Sequence, residues 1–163
     1  MPRIVISGEI TSKTAVRVIN FSLKEEAPEL NYIIMSEGGD MDSALAIIDV
    51  MGWLINEGKI VRTISLGKSH SAAAMIFAFG SERIVGPNSS IFFHQPNISD
   101  ELPESLGSHR KYFYFESKRW VDFLKKLAAR CGQDEAKFRA KVNRDMWLSP
   151  KEAVEFGVAD RLL

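Results

Sequence analysis

Short runs of β-branched and other apolar residues alternate with longer stretches whose apolar residues recur at helical spacing, and no other feature restricts this chain as strongly. The runs at 3–6 (Arg-Ile-Val-Ile), 32–35 (Tyr-Ile-Ile-Met) and 60–66 read as buried strands. Between the first two, Ala15, Val18, Ile19 and Leu23 lie on one helical face behind a start at Thr11/Ser12. A second helix spans 40–56, with Met41, Ala44, Leu45, Ile48, Met51 and Ile55 along one side, and stops near Gly58. Residues 71–79 form a third, of small and apolar residues without charge, which suggests burial all round. Short strands follow at 83–85 and 91–93, joined by the turn-forming Gly86-Pro87-Asn88. Strand alternating with helix implies βαβ units, whose right-handed crossovers build a mostly parallel sheet covered by helices: an α/β fold.

Beyond His94 the pattern changes. Residues 97–107 are polar and aperiodic and read as an exposed loop. Residues 108–131 form a long helix crowded with Tyr112, Phe113, Tyr114, Phe115, Trp120 and Phe123. These rings either complete the core or wait for a partner subunit, since one face of a lone helix cannot bury them all. An amphipathic segment occupies 134–142. The end of the chain carries a capping box, Ser149-Pro150-Lys151-Glu152, then a helix stop at Gly157 and a returning strand at 158–162. No repeat or linker interrupts the 163 residues, which therefore read as one domain, long enough to bury roughly 70% of the surface an unfolded chain exposes.

Composition removes several classes of function. The single cysteine, Cys131, permits no intramolecular disulfide, and no zinc-type ligand spacing is present. Neither metal nor cofactor is expected. Twenty-one basic residues balance twenty-one acidic ones, so charge gives no reason to expect nucleic acid or an anionic membrane as partner, while allowing self-association. The N-terminus resembles no secretory signal and no apolar run approaches the ~20 residues of a spanning helix, so a cytoplasmic location is expected.

Hydrolysis of an amide by serine needs a nucleophile, a base within hydrogen-bond reach and donors aimed at the developing oxyanion. Ser71 follows a strand and opens the Ala-rich helix, where backbone N–H groups and the helix dipole favour negative charge; the same position suits a simple N-cap. His94 ends the strand at 91–93, at the carboxyl edge where open α/β sheets place their sites, although a lone histidine there is more often structural. Asp145, after the amphipathic segment, can orient an imidazole or serve as a surface ion-pair partner. Gly38-Gly39 lets backbone approach a ligand closely, or makes an ordinary strand-to-helix turn.

In order along the chain, Ser36-Glu37-Gly38-Gly39, Gly67-Lys68-Ser69-His70-Ser71-Ala72, Pro87-Asn88-Ser89-Ser90-Ile91-Phe92-Phe93-His94-Gln95-Pro96, Asn143-Arg144-Asp145 and the Glu-Ala-Val-Glu-Phe-Gly-Val-Ala-Asp ending resemble the proteolytic subunit of the Clp protease. The likeness runs from about Arg3 to the C-terminus. It implies a ClpP/crotonase-like fold of repeated ββα units with a protruding handle helix, the handle covering about 95–131. It also implies a serine endopeptidase acting on peptides or unfolded proteins, with Ser71 as nucleophile, His94 as general base and Asp145 as its orienting carboxylate. The family's two oxyanion-hole amides fall on Gly39 and Ala72. Stacked heptameric rings and a Clp-type ATPase partner follow from the same resemblance.

Departures from the family pattern give further expectations. Glu37 stands where the family usually has proline, bringing a carboxylate close to the oxyanion hole. Ser69 and His70 replace two small residues, and Ser69 becomes a rival nucleophile in a segment that half-resembles a nucleophile elbow but lacks its closing glycine. The chain starts almost at its first core strand, where relatives carry a segment that lines the axial pore, so a wider entrance and a weakened dependence on the ATPase are expected. Two other readings stand beside the peptidase: a crotonase stabilising a thioester enolate, and a catalytically weak or inactive ring subunit serving assembly or regulation.

Overall fold

The computed structural model describes residues 1–96 and 106–163. Its elements in chain order are β1 (Arg3–Ile10), α1 (Ser12–Lys24), β2 (Glu29–Gly39), α2 (Met41–Asn56), β3 (Ile60–His70), α3 (Ala72–Ala78), β4 (Glu82–Val85), β5 (Ser90–Phe93), α4 (Leu106–Arg130), α5 (Glu135–Val142), β6 (Met146–Leu148), α6 (Pro150–Glu155) and β7 (Arg161–Leu162). Most of the loop expected at 97–107 lies outside the described residues. A seven-stranded sheet runs in the order β1-β2-β3-β4-β7, all parallel, with β5 parallel to β3 and β6 antiparallel to β5. The mixed α/β architecture expected from the alternation is the one observed.

Local chemistry sets the helix ends. Thr11 caps α1 with a reciprocal box to Thr14, and Asp40 caps α2 by accepting from the Ser43 amide at 2.7 Å. At α6 the expected box forms, with Ser149 and Glu152 satisfying each other's backbone donors and Pro150 at the first helical position. Side chains that alternate inward on β1 and β2, including Ile4, Ile6, Leu30, Tyr32 and Ile34, meet Ala44, Ile47, Met51 and the wholly buried α3 in one core.

Three features differ from the sequence expectation. β3 continues through Gly67–His70, which reads as a turn from its polar composition, because a bulge absorbs two extra residues: Ile34 pairs Ser65, whereas Ser36 pairs Ser69. β6 is absent from the sequence reading, since three residues are too few to show a period. The aromatic helix α4 divides its load, with Phe123, Leu124, Leu127 and Ala128 in the core while Phe113, Tyr114 and Phe115 stay exposed. Phe123 thus completes the core, whereas Phe113, Tyr114 and Phe115 remain uncovered on this chain.

Candidate active site

The site forms where β3 and β5, neighbours in the sheet, both end. β3 gives way to α3 at Ser71, and the Ser71 amide donates to the Phe92 carbonyl at 2.8 Å, tying the turn to β5. Ser71 has φ 53° and ψ −124°, a backbone conformation that residues with a Cβ adopt only when their surroundings impose it, at a cost of about 1–3 kcal/mol. Its hydroxyl makes no capping bond to α3. It faces His94 instead, with Oγ 2.8 Å from Nε2. The N-cap reading of Ser71 therefore gives way, because the strained turn aims the hydroxyl at the imidazole. Both residues are half-buried.

Asp145 stands differently. It directly precedes β6, and because Phe93 pairs with Met146 across the antiparallel ladder, the register continued by one position sets Asp145 opposite His94. Yet Asp145 is exposed, at φ 59°, and no hydrogen bond among the described residues joins its carboxylate to His94. A carboxylate open to solvent keeps its water in exchange for little Coulomb energy. Of the three side chains named from the sequence, two are in hydrogen-bond contact and the third sits across the strand.

The backbone beside Ser71 is crowded in a way that explains the paired glycines. A Cβ on Gly38 would lie 2.7 Å from the His70 carbonyl, 2.8 Å from the Ser71 Cβ and 3.1 Å from the Ala72 nitrogen. One on Gly39 would meet the Ile10 carbonyl at 2.3 Å. Gly38 is thus the residue whose missing side chain leaves room beside Ser71, a role sequence reasoning did not separate from that of Gly39. The Gly38 amide donates to Ser36 Oγ at 3.0 Å. Ala72 opens α3, so its N–H has no acceptor within the helix.

The substituted residues around the site each have a definite place. Glu37 pairs with Lys68 at the exposed rim, so its charge is directed to solvent; hydrogen bonding and charge from Lys68 hold its carboxyl below the usual range. Ser69 is fully buried, its hydroxyl bonded to Ser65 Oγ at 2.8 Å, and it cannot compete with Ser71 for a substrate. His70 Nε2 lies 2.8 Å from Ser90 Oγ, and burial, with help from the Lys68 charge, pushes its imidazole below the ordinary value. Burial pushes the Cys131 thiol up to about 11, which keeps it protonated and unreactive.

A further group escaped the sequence reading. The imidazole of His94 is stacked against Phe92 with ring centroids 5.2 Å apart and planes 12° from parallel, and Phe92 stacks in turn on Trp147 at 3.9 Å and 15°. The only signal available in advance was the strand alternation that puts residues 92 and 94 on one face. Among the described residues no cluster of His, Cys, Asp and Glu could hold a metal ion, and no helix is long and apolar enough to cross a membrane.

Comparison with known proteins identifies the family. Among curated proteins, the chain is 33% identical over 167 residues to the ATP-dependent Clp protease proteolytic subunit 2 of Treponema denticola, an alignment covering 98% of this chain and 80% of that protein. It is 30% identical to proteolytic subunit 1 of Bifidobacterium longum, over 99% of this chain and 70% of the relative. It is 25% identical to proteolytic subunit 2 of Thermobifida fusca, over 97% and 76%. The crotonase alternative is set aside by these matches. A family model described as Clp protease spans residues 2–163, and with it the chain belongs to the Clp protease family.

Proposed function

We propose that the chain is a serine endopeptidase subunit in which Ser71 attacks the peptide carbonyl and His94 serves as general base. The observation that carries this reading is the 2.8 Å contact between His94 Nε2 and a Ser71 hydroxyl held in a strained turn. Nε2 takes the hydroxyl proton as Oγ bonds to the carbonyl carbon, and the Gly39 and Ala72 amides receive the oxyanion. Collapse expels the amine, which leaves with the proton from His94, and water then hydrolyses the ester by the same steps in reverse roles. Asp145 completes the triad by turning its carboxylate to Nδ1 across the strand pair once water is displaced.

The same reading takes residues 1–163 as one peptidase domain with a handle at about 95–131, of which 97–105 lie outside the described residues and α4 is the described part. The exposed Phe113, Tyr114 and Phe115 on α4 support contact with a second copy, in a homo-oligomer of stacked rings with the active sites enclosed. The relatives' names describe ATP-dependent proteases, and a Clp-type ATPase that delivers unfolded chains is the partner consistent with such a chamber. A second reading, a ring subunit with weak or no activity, is favoured by the single fact that the Asp145 carboxylate makes no hydrogen bond to His94.

One experiment separates them. Purified protein is sized by native mass and incubated with a fluorophosphonate probe and a fluorogenic peptide, alongside Ser71→Ala. Labelling at Ser71 with peptide turnover, both lost in the variant, supports the peptidase. An assembled particle that is neither labelled nor active identifies the second reading.

A further inference from the structure

Three aromatic side chains from three strands make a row beside the proposed base. His70 on β3 pairs in register with Phe92 on β5, and Phe92 with Trp147 on β6. Cross-strand partners project from the same face of a sheet, and His94, two positions after Phe92, joins that face. Phe92, Trp147 and His94 have nearly parallel rings, with Phe92 in contact with both others. His70 meets Phe92 and Trp147 edge-on, at 5.9 Å and 87° and at 5.1 Å and 80°, and is itself anchored by Ser90.

We propose that Phe92, backed by Trp147, is a positioning residue of the reaction: its ring face holds the His94 imidazole in the plane that points Nε2 at Ser71. The inference rests on the peptidase reading above and deepens it. An imidazole bonded through one nitrogen is still free to rotate about its Cβ–Cγ bond, and such rotation carries Nε2 away from the hydroxyl. A carboxylate on Nδ1 ordinarily removes that freedom. Until Asp145 turns to Nδ1 no carboxylate holds the ring, whereas a flat stack 12° from parallel restricts the same rotation. The stack also offers the electron-rich face of an aromatic ring to the imidazolium that forms during attack, an attraction a leucine cannot provide. Trp147 acts through Phe92 and, lying on β6 two residues after Asp145, helps to keep β6 against β5 with Asp145 opposite His94.

The test uses the full chain as purified, with Phe92→Leu, Phe92→Tyr and Trp147→Leu. Positioning of a base acts on the chemical step, so Phe92→Leu is expected to lower kcat roughly tenfold, part of the 10²–10⁴-fold that general-base catalysis supplies, with KM within about twofold. Phe92→Tyr keeps the ring face and recovers most of the loss. The chain has three histidines, so ring-labelled histidine gives a spectrum simple enough to assign with His94→Gln. The parent's His94 ring protons are expected to be shifted upfield by the Phe92 ring current, and Phe92→Leu to return them downfield. Trp147 is 58% exposed, so Trp147→Leu opens no core cavity and covers the case in which Phe92→Leu does not fold; it is expected to lower kcat about threefold.

A labelled, active parent whose Phe92→Leu or Trp147→Leu variant keeps the parental kcat and His94 resonances overturns the stack alone. Equal losses in the Leu and Tyr variants also overturn it, by showing that size rather than the ring face matters. A parent not labelled at Ser71 overturns the peptidase reading, and the catalytic meaning of the stack falls with it.

Discussion

At Ser71 the chain accepts a backbone conformation that a glycine adopts freely and a serine does not, at φ 53° and ψ −124°. Strain of this kind persists where surrounding contacts impose it, here the Ser71 amide bound to the Phe92 carbonyl on one side and a wholly buried α3 on the other. The consequence can be measured without any substrate. Ser71→Ala and Ser71→Gly both remove the hydroxyl, but only glycine relieves the turn, so the glycine variant is expected to be more stable than the alanine variant by about 1 kcal/mol. Denaturant titration of the two variants decides it; an alanine variant of equal or greater stability would show that the turn carries no strain.

Among the elements, the β2 end and the turn after β3 press together at Gly38. Gly38→Ala places a methyl against the His70 carbonyl and the Ser71 Cβ at φ 104°, so backbone must move at Ser71. A loss of stability of about 1–3 kcal/mol is expected, with kcat/KM falling at least tenfold, readable by thermal denaturation and peptide kinetics. How far such detail was legible beforehand depended on the range of the interaction. Caps and periodic faces are written within a few neighbouring residues, and Thr11, Asp40 and Ser149 begin helices where the sequence indicates. Residues 67–70 look like a turn locally because the force that keeps Lys68–His70 in β3 is pairing with Ser90–Phe92, a partner invisible to a local window. β6 and the stack of Phe92 on Trp147 were missed for the same reason, since each exists only through register between distant strands. The pairing of Ser71 with His94 became legible only through the joint order of motifs, while the solvated Asp145 carboxylate depends on exposure, which no motif encodes.

For the molecule as a whole, the charged groups that fasten the sheet edge set its response to acid. Burial opposes the charge of Asp160, but Arg83, through its guanidinium at 2.5 Å and its backbone amide at 2.7 Å, holds the carboxyl below 3.8. Arg62 chiefly holds Glu82 below 4.5, with Arg161 assisting, and burial holds His70 below 6.5. All three bind protons more weakly folded than unfolded, so their contributions are complete above those ordinary values and are lost as pH falls through the folded ones. Denaturation midpoints are expected to decline first below about pH 6.5, from His70, and again below about 4.5, with Asp160→Asn flattening the second decline. The exposed rings of α4 set a second expectation at this scale: Tyr114→Ser with Phe115→Ser lowers native mass if a second copy covers them, and an unchanged mass places the contact elsewhere. β5 and β6 hang from the rest of the sheet through the ladder from Lys68–His70 to Ser90–Phe92, while β1-β2-β3-β4-β7 continue without them. Ser71 and His94 consequently stand on opposite banks of a narrow seam. Because Ile91 and Phe93 are buried in the same core as the rest of the sheet, that seam is expected to open only as the core itself melts. On the peptidase reading, peptide cleavage and the denaturation signal are therefore expected to fall together on warming.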